Sequence, residues 1–370
     1  MRITRLYVDG FKCFSDFEFK PHEIQPIFGR NGSGKSAVFE VLVSLKKLIV
    51  EGQDVKDCIP HSTFSKLFKA SCVRIELDST DGRNSFRYEL TILLHPTIDK
   101  VAIGKEELHY NSTRILHSTT NNVQILYANT KIETTKRNIF RSSLSTLIPG
   151  LDSDAAINFS KWIGNLQVIS IHPSAMSTSK VMNDDRTLEL GGSNFVSWFR
   201  HLALTRLHAI SALNDHLRDA VEGFDSMSFV SRGDSYILQV TFIFGSLTKY
   251  RSIYDYHELS DGQRLLIVLY SVYHALRGSN AVLCLDEPAN YLSLTEIQPF
   301  LNLLRDSVGD SIAQLFIVTH NAEAIDDLAP DKPVVFYRDE AGFIRVSPFP
   351  EVNPLGLSAS KLLSLGWEKP

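Results

Sequence analysis

Eight consecutive residues, Gly29-Arg30-Asn31-Gly32-Ser33-Gly34-Lys35-Ser36, constrain this 370-residue chain more than any other stretch. Glycine at the first, fourth and sixth places lets the backbone turn tightly enough for several N–H groups to face one anion. The flanks suit such a turn. Ile24 to Phe28 is a short apolar run, interrupted by Gln25 and Pro26. Val38, Phe39, Val41, Leu42, Leu45, Leu48 and Ile49 follow at helical spacing, and Gly52 can end the helix. Strand, glycine loop and helix in that order indicate an α/β fold, with the helix dipole aimed at the anion. The pattern G-x-x-x-x-G-K-S is that of a phosphate-binding P-loop. Lys35 is expected to reach the β- and γ-phosphates of a nucleotide, and Ser36 to ligate Mg²⁺. Gly29, Arg30, Asn31, Gly32, Ser33 and Gly34 would line the phosphates.

Three later segments carry further chemistry. Ala281 to Pro288 is an apolar strand, buried on both faces by its composition, that ends in the carboxylates Asp286 and Glu287. Leu315 to Asn321 is a second apolar strand, with His320 at its end. Between them Ser293-Leu294-Thr295-Glu296 reads as a capping box that starts a helix. Upstream, in Glu258-Leu259-Ser260-Asp261-Gly262-Gln263, Ser260 is a good N-cap for the largely apolar helix Leu265 to Leu276. The exposed amides of that turn make a second anion-facing helix start.

These elements, in this order, resemble the ABC-type ATPases of the SMC, RecF and OLD group. The resemblance covers roughly residues 1–50 and 250–325, about a third of the chain. The N-terminus agrees: Ile3 to Phe19 reads like that group's opening strand and hairpin. Gly10-Phe11-Lys12-Cys13-Phe14 matches its N-F-K-x-F element, with Gly10 in place of the usual Asn. The resemblance implies a mixed core sheet with a flanking antiparallel β-sheet and a helical subdomain. It implies bound ATP and Mg²⁺, with Asp286 on the metal, Glu287 polarising the attacking water and His320 on the γ-phosphate. Ser260, Gly262 and Gln263 would meet the nucleotide of a second copy, in a head-to-tail homodimer or a higher even oligomer. Ala289-Asn290-Tyr291-Leu292 would be the D-loop that crosses that interface. Asp261 stands where the commonest signature has glycine, so its side chain is expected to point away from phosphate. A Mg²⁺-sensing glutamine is implied between P-loop and signature; Gln167 is a candidate that nothing local marks. Within the group the chain looks most like compact prokaryotic AAA-labelled ATPases encoded beside an effector gene in phage-defence and toxin-like cassettes. The implied partner is then a separate effector, such as a nuclease or toxin.

Residues 1–60 and 250–350 read as the ATPase core, 61–249 as a β-rich and helical insertion bearing the signature lobe, and 351–370 as a C-terminal extension. The insertion shows no heptads, so no long coiled coil is expected. Val73, Ile75 and Leu77, then Asp81-Gly82, then Phe86, Tyr88, Leu90 and Ile92, spell a hairpin. Val101 to Leu147 is polar, with only weak strand and helix signals. Phe195 to Val221 reads as one long helical segment before a strand at Tyr236 to Phe244. Asp184-Asp185-Arg186 reads as a solvated loop.

A net charge of −4 gives no sign of a strongly basic nucleic-acid surface. A RecF-like DNA-binding repair ATPase is nevertheless the main alternative. A self-contained OLD-type nuclease would need a carboxylate-bearing domain after His320. Asp326, Asp327 and Asp331 fall in that stretch, but the remaining residues are too few to house them in one. A transporter motor has the wrong motif spacing. Cys13, Cys58, Cys72 and Cys284 show neither paired nor metal-ligand spacing, which suits a cytoplasmic protein. No apolar run is long enough to span a membrane.

Overall fold

The computed structural model describes residues 1–66, 70–95, 100–119, 122–127, 131–136, 138–147, 153–245, 249–350 and 357–366. Its strands are β1 (Arg2–Asp9), β2 (Phe17–Phe19), β3 (Ile24–Phe28), β4 (Cys72–Thr80), β5 (Ser85–His95), β6 (Lys100–Tyr110), β7 (Thr113–Thr119), β8 (Asn122–Tyr127) and β9 (Lys131–Lys136). They continue as β10 (Leu166–Ile169), β11 (Lys180–Val181), β12 (Phe224–Arg232), β13 (Ser235–Phe244), β14 (Tyr250–Asp255), β15 (Ala281–Asp286), β16 (Ile312–Val318), β17 (Val334–Arg338) and β18 (Ile344–Pro348). The helices are α1 (Lys35–Ile49), α2 (Val55–Cys58), α3 (Asp154–Gly164), α4 (Phe195–Thr205), α5 (Leu207–Ala220), α6 (Asp261–Leu276), α7 (Leu294–Ser307), α8 (Ala322–Leu328) and α9 (Ala359–Ser364).

The sheet that matters most runs β10-β15-β16-β3-β17-β18. Its first five strands are parallel and only β18 runs against them. Alternate residues of its central strands feed two cores. Val282, Cys284, Phe316 and Val318 pack with α1, while Leu283, Leu285, Leu315 and Ile317 pack with α6 and α7. Burial on both faces explains why β15 and β16 read as nearly unbroken apolar runs. The interruptions are paired polar groups. Gln25 of β3 is fully buried, accepts from the His22 amide and donates to the Pro26 carbonyl. Gln314 of β16 is equally buried and exchanges hydrogen bonds with both backbone groups of Ile3.

A second, antiparallel sheet runs β2-β1-β4-β5-β6-β7-β8-β9. The hairpin read around Asp81-Gly82 is β4–β5, and its alternating Val73, Ile75, Leu77, Tyr88, Leu90 and Ile92 all lie in the core. Where the sequence shows only weak strand and helix signals, the described residues from Lys100 to Lys136 form the strands β6 to β9 and no helix. Two effects hid them. Register shifts leave Gly104 of β6 and Ile115 of β7 as extra residues and break the period-2 pattern. Buried polar residues also stand where apolar ones are expected. Glu106 is fully buried and accepts from the Tyr88 hydroxyl at 2.9 Å, the Ser143 amide at 2.8 Å and the Ser142 hydroxyl.

The third sheet, β11-β13-β12 with β14 also on β13, leads straight into α6. The segment read as one helix from Phe195 to Val221 is α4 and α5, broken where Arg206 takes φ −135°. Gly10 has φ +78°, and a Cβ there would stand 2.1 Å from the Cys72 carbonyl oxygen, so glycine is required at this contact. Among the described residues no helix is long and apolar enough to cross a membrane.

Candidate functional site

The parallel register brings the carboxyl ends of β3, β15 and β16 to one sheet edge. Val318 pairs with Ile27 on one side and Asp286 on the other. Loops leaving such an edge are the usual place for a ligand in open α/β sheets. Here those loops carry residues 29–36, Asp286-Glu287 and Thr319-His320.

The glycine loop leaves β3 with φ +140° at Gly29, +76° at Gly32 and +89° at Gly34. A Cβ on Gly29 would stand 2.3 Å from the Phe336 carbonyl oxygen of β17, and one on Gly34 would press on the Phe14 ring and the Cys13 sulfur. Gly32 is needed for its backbone angle alone, because a Cβ there would meet open space. α1 starts at Lys35 with no side-chain cap from Gly34, so its first amides stay available. Ser33 Oγ is buried without a hydrogen-bond partner. Lys35 is 6% exposed, and its ammonium donates to the Gly29 and Arg30 carbonyls at 2.7 and 3.0 Å. Burial pulls its pKa down, against the charges of Glu287 and Asp286. Arg30, Asn31 and Gly32 form the exposed rim.

Ser36 Oγ donates to Asp286 Oδ1 at 3.3 Å. Burial raises the Asp286 pKa, the Ser36 hydrogen bond lowers it and the charge of Glu287 raises it further. Cation binding there would relieve both penalties. Among the described residues no group of three or more His, Cys, Asp or Glu could hold a metal. A hydroxyl and one carboxylate nevertheless suit Mg²⁺, which keeps several waters and takes phosphate oxygens as further ligands. The buried, unpartnered Ser33 hydroxyl and the uncapped amides suit the phosphates themselves.

Glu287 sits at φ +55°, its amide held by the Val318 carbonyl at 2.9 Å. This strained backbone points its side chain at the next loop. Oε1 lies 2.6 Å from His320 Nδ1, and Oε2 accepts the His320 amide at 3.1 Å. The edge thus offers amides and an ammonium to an anion, a hydroxyl–carboxylate pair to a cation, and a carboxylate–imidazole pair to a water.

The signature turn is built differently. Ser260 caps α6 by accepting the Gln263 amide, and the Gln263 side chain accepts the Ser260 amide, a complete capping box. Asp261 turns to Arg264, which also donates to the Met176 carbonyl at 2.9 Å. A Cβ on Gly262 would stand 3.0 Å from the Tyr291 carbonyl oxygen, so signature and residues 289–292 form one surface. Tyr291, at φ +70°, is 60% exposed.

Gln167 lies within β10, paired with Leu283, three positions short of Asp286. It lines a cavity of about 220 Å³ with Arg186, Trp198 and His201, away from the P-loop. The chain leaves β10 at Ile169, which pairs with Leu285 beside Asp286, and the exposed His172 follows. Asp184 and Asp185 are tied to α4 through His201 and Ser197. Asp327 and Asp331 bind Arg305, and Asp326 binds Ser360, so each carboxylate has a structural partner.

A family described as the RecF/RecN/SMC N terminal domain matches residues 2–344. No curated protein matches. Among solved structures the chain resembles an SmcHead bound to the C-winged helix domain of ScpA, with 14% identity and a TM-score of 0.57 over 98% of this chain and all of that one. It also resembles the Smc head domain with an extended coiled coil bound to the C-terminal domain of ScpA from Pyrococcus furiosus. That match has 14% identity and a TM-score of 0.52, over 99% of this chain and 98% of that one.

Proposed function

The chain belongs to the RecF/RecN/SMC N-terminal domain family of ABC-type ATPases, and from that premise we propose that it binds and hydrolyses ATP as a switch that closes on a second copy of itself. One observation carries this reading. Lys35, Ser36, Asp286, Glu287 and His320 converge on one sheet edge, whereas the capped signature turn packs against Met176 and Tyr291. With the Ser260 and Gln263 amides satisfied by the capping box, the first-turn amides of Asp261 and Gly262 would be left for a nucleotide held by another copy.

When bound, Mg²⁺ neutralises phosphate charge and orients the terminal phosphate. Ser36 and Asp286 would hold that ion. Lys35 would leave the Gly29 and Arg30 carbonyls for the β- and γ-phosphates. Glu287 would take the proton of the attacking water, with His320 holding its carboxylate in line and contacting the γ-phosphate. Ser260, Gly262 and Gln263 of the second copy would close over the γ-phosphate. The solved heads that the chain resembles are bound to ScpA domains. By analogy this switch would act on a separate protein effector, such as a nuclease or toxin in antiviral defence.

Glu287→Gln keeps the site's shape but removes the proton acceptor. It should bind ATP, hydrolyse it at least about a hundredfold more slowly, and accumulate as closed dimers with MgATP, read by light scattering. An unchanged mass with and without ATP overturns the switch. The family is equally compatible with a RecF-like DNA-binding role. That role requires tight duplex binding by the isolated chain that falls steeply with salt.

A further inference from the structure

We propose that Arg338 is a positioning residue for the nucleotide site, acting as a clamp on the outer side of the P-loop. The inference rests on the reading that residues 29–36 hold a nucleotide. A loop that turns its amides inward toward an anion turns its carbonyls outward, and those need donors of their own. The Gly29 and Arg30 carbonyls have the Lys35 ammonium. The Gly32 carbonyl has Arg338 Nη2 at 3.0 Å, while Nη1 of the same guanidinium donates to the Gly342 carbonyl at 2.8 Å.

The planar fork therefore ties the tip of the β17–β18 hairpin to the apex of the P-loop. Gly32 is exposed, and nothing lies within 4 Å of where its Cβ would be. The local turn from the Ser33 amide to the Arg30 carbonyl, at 3.2 Å, is the other tie described there. The hairpin end is a firm anchor. β17 runs parallel to β3, with Val335 opposite Phe28. Its turn is closed by the Gly342 amide on the Asp339 carbonyl and by Arg345 on Asp339. Arg345 also donates to the Ser15 carbonyl at 2.9 Å, fixing the hairpin to the segment before β2. Lys35 must release its two carbonyls to reach phosphate, whereas Arg338 can keep its grip throughout. Its contact can thus hold the apex in both loaded and unloaded states.

The test uses full-length protein and a fluorescent ATP analogue with Mg²⁺. Arg338→Met should weaken binding and raise the KM for ATP by about five- to tenfold, the size of a charge-assisted hydrogen bond at an exposed site. The kcat at saturating ATP and the melting temperature without nucleotide should stay near wild type. Arg338→Lys keeps one charged donor for Gly32 and should recover most of the affinity. Arg345→Ala loosens the anchor but leaves the Arg338 guanidinium on Gly32, so it should weaken binding clearly less than Arg338→Met does. The proposal is overturned if Arg338→Met binds as tightly as a binding-competent wild type. It is equally overturned if Arg345→Ala weakens binding as much, or if lysine does not rescue. A wild type that binds no nucleotide would instead overturn the P-loop reading itself.

Discussion

The P-loop and the signature turn are both helix starts with amides facing out, and they are built on opposite principles. The P-loop leaves α1 uncapped, keeps the Ser33 hydroxyl buried without a partner, and holds Gly29, Gly32 and Gly34 at positive φ. Its polar groups are complete only with an anion in place. The signature turn is complete by itself, with Ser260 and Gln263 satisfying each other's amides and Asp261 paired to Arg264. On the proposed reading, one turn would capture phosphate and the other would be presented to it.

Lys35→Ala strikes the incomplete half and should have the largest effect. It removes the ammonium that now spans two loop carbonyls and would meet the phosphates. ATP affinity should fall about a hundredfold or more, read by calorimetry. Equal affinity in mutant and wild type would erase the distinction between the turns.

Mixing Lys35→Ala with Ser260→Arg asks whether the two turns meet across copies. Each is expected to be inactive alone. In a mixed dimer one site carries both lesions and the other neither. With half the dimers mixed, about a quarter of the wild-type rate should return, if each site fires alone. No recovery, with subunit exchange verified by tagged co-purification, would put the signature turn outside the shared site.

Two serine deletions contrast the turns without nucleotide. Ser260→Ala removes a working cap and should cost about 1 kcal/mol, seen as a lower melting temperature. Ser33→Ala removes a buried hydroxyl that has no partner, so the empty protein should be unchanged or slightly more stable. A larger loss at Ser33 would mean that the P-loop is already satisfied.

The smallest effect is acid sensitivity centred on α6. His274 is buried there, 2.8 Å from His216 on α5. Burial, then the neighbouring charges of His216 and Arg277, push its pKa down to about 4. The folded state therefore resists a proton that the unfolded chain accepts near pH 6.5. Stability is full above pH 6.5 and declines as the pH falls toward 4. His274→Leu should flatten that part of the melting-temperature profile; an unchanged slope would place the sensitivity elsewhere.

The P-loop, the carboxylates after β15, the histidine after β16 and the cap of α6 were all legible, because each is a contiguous run whose local chemistry needs no distant partner. The β4–β5 hairpin was legible through strict alternation. β6 to β9 were not, since bulges and the buried Glu106 disguise a strand until its neighbours satisfy the carboxylate. β12 and β14 escaped too, and so did the break at Arg206, which divides one periodic stretch into two helices. Local periodicity records which face is apolar and does not record where a chain must reverse.

By itself the sequence determined which residues could carry the chemistry, because glycine φ freedom, capping boxes and apolar strand ends are properties of neighbouring residues. Only the tertiary structure decided which of them meet. It set Ser36 against Asp286 and Glu287 against His320, left Gln167 inside β10, and laid Arg338 on the P-loop from 306 residues away. Those encounters follow from strand order and register in the parallel sheet, which arise from the packing of α1 on one face and α6 and α7 on the other. Such long-range choices are made by the burial of whole faces, and no short stretch of sequence contains them.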